Sequence, residues 1–393
     1  MPWREVSRME SRVEFVSLAS VEGANVALLC RRFGISRQVG HKWLARHRQG
    51  GALADRSRRP HASPGRSAPE MEDAVLELRE KHPSWGGRKL RRRLLDLGHA
   101  GVPAASTITA ILARHGRIDA AEAAQHAPFR RFEHDRPNAL WQMDFKGHFA
   151  HAAGRCHPLT VLDDHSRYSI CLAACADEAT HTVQQRLIAA FRLYGLPDRI
   201  NTDNGSPWGD GAGGPYTLLT VWMLRLGLRT SHSRVYHPQT NGKDERFHRT
   251  LKRDVLHGQS YADLAACQRA FDRFRAVYNS ERPHEALDLA VPASRYRASP
   301  RPYPETLPPI EYDPIDQVRR VQQGGRISFQ GRELHVSQAF AGQPIALRPT
   351  TTDGVWEVIF VAQRIAQIDL RDALCPLQPV TYVPEHVSAM SPV

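Results

Sequence analysis

The sequence predicts a multidomain protein with an all-α front, a mixed α/β core and a small all-β end. Three observations carry that prediction. At 393 residues the chain is too long for one compact core, so two to four domains are expected. The charge is unevenly placed: residues 1–136 hold 25 Lys and Arg against 15 Asp and Glu, while the remainder is nearly balanced at 28 against 26. The hydrophobic period also changes along the chain, from helical spacing in the first third to alternation in the middle and short alternating pieces near the end. The net charge of +12 therefore sits mostly in front, as expected of a nucleic-acid-binding end joined to a balanced body. A hydrophobic content of 41% fits a globular chain. With no apolar run of eighteen residues and no secretory start, neither a membrane span nor an export signal is expected, which places the protein in the cytoplasm. The six scattered cysteines read as reduced, buried thiols rather than a zinc site.

The front module, residues 1–50, reads as three helices: Val6–Ser20, Val26–Phe33 and, after the Gly34-Ile35 turn and the cap Ser36, a third to about Arg48. A glycine turn between a short apolar helix and a basic one is the pattern of a helix-turn-helix. In that arrangement Arg37, Gln38, His41 and Lys42 face DNA while Val39, Trp43 and Leu44 turn inward. The alternative is a three-helix bundle with a solvated basic face. Residues 51–68, rich in Gly, Pro, Ser and Arg, form a linker whose arginines 56, 58, 59 and 66 either follow a phosphate backbone or are merely solvated.

A second helical unit, 69–116, is expected as Pro69–Lys81, Gly86–Leu97 and Ala104–His115. The run Arg88-Lys89-Leu90-Arg91-Arg92-Arg93-Leu94-Leu95 sets five cations beside a leucine face, with Arg88, Lys89 and Arg92 as candidate DNA contacts. A winged or protein-contacting bundle is the rival. Residues 117–137 then connect to the core, 138–298.

The core opens with strict alternation over residues 140–149: Trp141, Met143, Phe145 and Phe149 on one side, Gln142, Asp144, Lys146 and His148 on the other. Strands near His157–Leu162 and Tyr168–Ala174 follow, joined by the turn Asp163-Asp164-His165-Ser166. A helix spans about Ala179–Tyr194 and stops at Gly195. A short strand then ends in Asp203-Asn204-Gly205, a helix covers Tyr216–Arg225, and a last strand covers Leu228–Ser231. A helix opening after His237-Pro238-Gln239-Thr240-Asn241-Gly242 completes the order βββαβαβα, a mixed five-stranded sheet whose last strands are reached by helical crossovers, and a further helix follows over Tyr261–Asn279. In the first of those helices Phe247, Leu251 and Val255 share the core side, and Glu245, Arg249 and Lys252 share another.

Five motifs in order resemble one family. They are Trp141-Gln142-Met143-Asp144, Asp163-Asp164-His165-Ser166-Arg167, Thr202-Asp203-Asn204-Gly205, His237 through Phe247, and Asn279-Ser280-Glu281-Arg282-Pro283-His284. Together these resemble the catalytic core of retroviral-integrase-type insertion-sequence transposases. The resemblance implies a ribonuclease-H-like core, a triad of Asp144, Asp203 and Glu245, and Mg²⁺ or Mn²⁺, two ions in all. It implies binding of an element's terminal inverted repeats in double-stranded DNA, metal-dependent strand cleavage and strand transfer, and a homodimer or higher multimer that pairs two ends. Carboxylates suit that chemistry because Mg²⁺ takes oxygen ligands, and a pair of ions can activate the attacking oxygen and stabilise the leaving one. The alternatives are a catalytically silent DNA-binding regulator or domesticated derivative, and a simple metal-dependent nuclease.

Several residues remain open on this reading. Asp244 rivals its neighbour Glu245, and Asp163 and Asp164 are expected to shape their turn and pair with Arg167. His237 serves either a structural bond or the chemistry, and Lys243, Arg246, Arg249 and Lys252, with His237 and Asn241, are candidate DNA contacts. Forty-one residues separate Asp203 from Glu245, more than the family commonly has. The surplus falls on the glycine-rich run 209–214, where Trp208 is expected either to contact DNA or a flipped base or to pack. Arg282-Pro283-His284 is expected to fix the end of the core helix. Beyond the Pro-rich linker 299–314, five short strands over 315–372 predict a small β-barrel, similar to the tails of integrases, and 373–393 reads as a poorly ordered tail.

Overall fold

Caps and apolar spacing set the front helices. The computed structural model describes residues 7–55, 66–118, 133–209, 214, 216–232, 242–372 and 377–379, in two compact units, 1–66 and 67–393. In the first unit Ser7 and Glu10 form a reciprocal capping box at α1 (Arg8–Ala19), and Asn25 and Ser36 cap α2 (Val26–Arg32) and α3 (Arg37–Arg48). Phe15, Val16, Cys30, Trp43 and Leu44 bury the centre. One inward position differs from expectation: Val39 is exposed, and Gly40 lies inside instead. A Cβ at Gly40 would stand 2.4 Å from the Cys30 sulfur and 2.9 Å from the Phe15 ring, so α3 closes on its neighbours only because that side chain is missing.

The second unit begins with α4 (Pro69–Lys81), α5 (Gly87–Asp96) and α6 (Ala105–Arg114), each within a residue of expectation. Val75, Trp85, Leu90, Leu94 and Ile108 form their core, and Val277 of the α/β region packs onto it. The central sheet has six strands, with the order β4-β3-β1-β5-β6 and a short strand, Phe149–His151, paired with the start of β3. Here β1 (Trp141–Phe145) runs antiparallel to β3 (Gly154–Asp163), which pairs in turn with β4 (Ser169–Cys175). On its other edge β1 runs parallel to β5 (Arg199–Thr202), and β5 runs parallel to β6 (Arg229–His232). The helices α7 (Thr180–Tyr194) and α8 (Leu218–Arg225) supply the two crossovers. The alternation of β1 breaks sooner than its sequence suggests. Gly147 turns the chain at φ +82°, so Phe149 opens a separate short strand β2 (Phe149–His151) and joins the opposite cluster, against Tyr261 and Phe271.

Apolar residues cover both sheet faces. Trp141, Met143, Val161 and Ile170 pack on α7 and α8, and Leu162, Leu172 and Ala174 on the other face pack on α9 (Gly242–Leu251) and α10 (Leu264–Ser280). A π-helical turn, Lys252–Leu256, follows α9. The helix α8 is apolar on two sides: Leu219 and Met223 face the sheet, while Val221 and Leu224 join the core of the C-terminal unit. That unit is all β, with a five-stranded antiparallel sheet and a hairpin. The sheet orders β13 (Leu377–Pro379), β12 (Gln363–Asp369), β11 (Val355–Phe360), β10 (Pro344–Pro349) and β7 (Gln317–Arg320). The hairpin joins β8 (Arg326–Phe329) to β9 (Arg332–His335). Two of these strands, β7 and β13, were not legible in the alternation, and β13 lies in the stretch read as a loose tail. Polar β7 carries no buried face, and β13 is three residues long.

Candidate active site

Sheet register brings two of the predicted acids together. On the parallel pair β1–β5, Trp141 lies beside Ile200 and Gln142 beside Asn201, and two further steps along each chain reach Asp144 and Asp203. Neighbouring strands are about 4.8 Å apart, so the two carboxylates share one level of the sheet. Asp203 stands just past the end of β5 and is held there: its Oδ1 accepts from the Gly205 amide at 3.0 Å, and its carbonyl lies 2.8 Å from His232 Nδ1. Burial pushes the Asp144 carboxyl up to about 7, and the nearby Asp203 charge adds to the shift.

The third acid sits differently. Glu245 is exposed on the first turn of α9, and among the described residues no three Asp, Glu, His or Cys side chains converge closely enough to hold a metal ion. One turn later on the same face, His248 Nδ1 lies 3.9 Å from Asp144 Oδ2, while its Nε2 lies 2.8 Å from Thr160 Oγ1. Thr160 Oγ1 in turn donates to the Asp144 carbonyl at 2.9 Å, so it accepts from His248 Nε2–H. Burial, and then Lys146, hold the imidazole down at about 3, so His248 is neutral and its approach to Asp144 is no ion pair. His248 and Thr160 were not singled out from the sequence. The available signal was the spacing of three from Glu245, which puts His248 on the face that meets Asp144.

Three other readings resolve here. Asp244 is buried with Oδ1 unpartnered, and burial and the charges of Asp144 and Asp164 push its carboxyl far up, while Glu245 is exposed. Asp163 shapes its turn as expected, accepting from the Ser166 amide at 2.8 Å, the Ser166 hydroxyl at 2.6 Å and the Asn138 amide at 2.7 Å. The expected side-chain pairing with Arg167 is not made, because that guanidinium meets Glu133 at 3.5 Å. Asp164 instead accepts from the Lys243 ammonium, from Gln142 Nε2 at 2.8 Å and from the His134 amide at 2.9 Å. Trp208 is buried and stacks on Phe145 at 5.7 Å, so it packs and does not reach for a base. His237, Asn241 and residues 210–213 lie outside the described residues.

The site's sequence carries clear relatives. Models described as integrase core domain match residues 134–238 and 226–292, the C-terminal domain of the IS481 family transposases matches 316–374, and homeodomain-like and helix-turn-helix models match 39–112 and 11–61. These matches support an insertion-sequence transposase of the integrase superfamily. An uncharacterized 31.7 kDa protein of insertion element IS407 from Burkholderia multivorans is 26% identical, over 42% of this chain and 58% of its own. An uncharacterized 39.2 kDa protein of insertion element IS476 from Xanthomonas euvesicatoria is 27% identical, over 40% of this chain and 44% of its own. The chain thus spans about half the length of these relatives. The magnesium-bound catalytic core of HTLV-2 integrase is 16% identical, covering 42% of this chain and 99% of that one, with a TM-score of 0.32, too low for inference from shape.

Around this integrase core the candidate DNA contacts divide. Arg37, Gln38, His41 and Lys42 are exposed along α3, Arg88 and Arg92 are exposed on α5, and Arg246, Arg249 and Lys252 are exposed around α9. Lys243 departs from the expectation: its ammonium is drawn inward to Asp164, so a structural pair replaces the phosphate contact read from sequence. Lys89 is half-buried at the junction of the helical module with the core. Two of the other open pieces are structural as expected. Arg282 donates to Asp254 at 3.0 Å, and the five described cysteines, Cys30, Cys156, Cys171, Cys175 and Cys267, are buried free thiols.

The donor set suits a hard divalent cation. Two carboxylates share one sheet level, one of them pushed up by burial and then by its neighbour's charge, and Glu245 stands on the adjoining helix. An oxygen-only set with open positions is what Mg²⁺ or Mn²⁺ takes, and a bound cation would offset both the burial and the like charge that raise Asp144.

Proposed function

We propose that this chain is an active transposase that binds the terminal inverted repeats of its element and catalyses metal-dependent DNA strand cleavage and strand transfer. The register that sets Asp144 beside Asp203, with Asp144 held up to about 7, is the observation that carries this reading. Asp144, Asp203 and Glu245 are the proposed ligands of Mg²⁺ or Mn²⁺, in two ions. A cation held there supplies activation of the attacking oxygen and charge neutralisation on the leaving one. The chain's own residues do the rest. The strands fix two ligands in register, Asp203 through its bond from the Gly205 amide, and neutral His248 orients beside Asp144 through Thr160 without adding a competing positive charge. Arg249 and Lys252, on the Glu245 face, are placed to hold the phosphodiester.

The helical modules 1–50 and 69–116 are proposed to read the element ends, with 138–298 as catalytic core and 315–372 as a β domain that aids assembly. Pairing two ends calls for a homodimer or larger multimer, acting on nucleoid DNA in the cytoplasm. The test gives purified protein labelled element ends with Mg²⁺. Nicking that frees a 3′-OH, followed by joining to target, is expected from the wild type and lost in Asp203→Asn. The rival reading, a catalytically silent DNA-binding derivative, draws on the open position of Glu245. It predicts end binding with neither reaction under any metal or multimer-forming condition.

A further inference from the structure

The junction between α5 and the catalytic region carries more positive charge than its own acids answer. Arg93 donates to Glu281 at 2.9 Å and so fixes α5 over the segment that follows α10. Lys89 lies one helical turn before Arg93 on the same face. Each carboxylate there already has an arginine: Asp254 lies 3.0 Å from both Arg253 and Arg282, and Glu285 lies 3.7 Å from Arg246. Among the described residues the Lys89 ammonium makes no hydrogen bond or ion pair. Its ammonium is instead pushed down to about 7, by burial first and then by Arg282, with Arg253 and Arg246 in the same sense and only Glu285 opposed. Beside it His284 Nε2 is buried without a partner. A half-buried lysine within the field of three arginines is costly without an anion, and the half-exposed Arg246 and Arg253 leave the place open to one.

We propose that Lys89, Arg246, Arg253 and Arg282 form one phosphate-binding site that grips a backbone phosphate of duplex DNA where the second helical module meets the core. This rests on the DNA-processing function above and deepens it. The cations come from three separate segments, so a phosphate there ties α5 to α9 and to the chain after α10. Arg246 adjoins Glu245, so DNA held at the junction also restrains the helix that carries the third acid. A carboxylate could neutralise one of these cations, but the tetrahedral phosphate offers oxygens to several at once.

The test uses the full chain and two variants, Lys89→Met and Arg253→Gln, with thermal midpoints confirming that each folds. In the first arm inorganic phosphate is compared with chloride at equal ionic strength. Phosphate is expected to raise the wild-type midpoint by a few degrees, and that of either variant by less than half as much. In the second arm binding to a random-sequence duplex is followed against salt. Each variant is expected to lose roughly tenfold in affinity near 0.1 M salt and about one unit of the slope of log K against log salt. Equal behaviour of wild type and variants in both arms overturns the site. A phosphate response that depends on Lys89, with an unchanged duplex slope or no duplex binding at all, overturns the DNA assignment and leaves a site for free anions. The random duplex keeps this separate from end recognition: a Lys89-dependent slope in a protein inert toward element ends supports the site while the transposase reading fails.

Discussion

The three proposed metal ligands are held in two different ways. Asp144 and Asp203 are fixed by hydrogen-bonded strands whose register cannot slip without turning every side chain to the wrong face. Glu245 depends on a helix held by the buried Phe247 and Leu251 and by two polar anchors, Lys243 to Asp164 and His248 to Thr160. The sheet therefore supplies a preformed pair of carboxylates, and the helix is proposed to add a third that joins them when metal and DNA bind. Cutting either kind of support should give distinguishable failures.

The largest effect is expected at the preformed pair. Asp203→Asn or Asp144→Asn should lower nicking of a labelled element end by a thousandfold or more with DNA binding retained, and activity within tenfold of wild type would refute their role. Next come the helix anchors. Asp164→Ala leaves the Lys243 charge buried and unpaired, which should cost about 3 kcal/mol in denaturant unfolding. The same variant should raise the Mg²⁺ concentration needed for half-maximal nicking, because Glu245 loses its mooring; an unchanged metal requirement would show that the helix is held by other means.

A smaller effect separates the two supports by pH. Folding raises the Asp144 pKa from 3.8 to about 7, so the folded protein holds this proton more tightly than the unfolded chain. The stability tied to it is full below about pH 4 and is lost as pH rises to about 7. Without metal, Asp144→Asn should accordingly melt a few degrees higher than wild type at pH 8 and show no gain at pH 4. An equal shift at both values would mean that the carboxyl is not strained by its neighbours. The smallest effect is expected at Thr160→Val, which removes the acceptor of the His248 bond and should cost about 1 kcal/mol and several-fold in turnover.

The same division governs what could be read from sequence. The alternation of β1, the acids before and after it, and the helix phase that exposes Glu245 with Arg249 and Lys252 are local patterns, visible in a few consecutive residues. The anchors are not local: Lys243 and Asp164 are 79 positions apart, and His248 and Thr160 are 88 apart. Nothing in either segment announces its partner, so Lys243 read as one more phosphate-seeking cation. Val39 and Gly40 were exchanged for a similar reason, since only the approach of Cys30 and Phe15 makes a missing Cβ useful. Phe149 kept the parity of β1 in sequence but lost it across the Gly147 turn.

The two-sided burial of α8 bears on how the protein tolerates being shortened. Val221 and Leu224 lie in one cluster with Val321, Phe340 and Phe360, and Tyr216 Oη donates to the Ile365 carbonyl at 3.1 Å. A chain ended at residue 314 would turn that side of the crossover helix to water, and self-association through the bared stripe would follow. The C-terminal strands thus act as a solubility cap for the catalytic region, whatever nucleic acid they also meet.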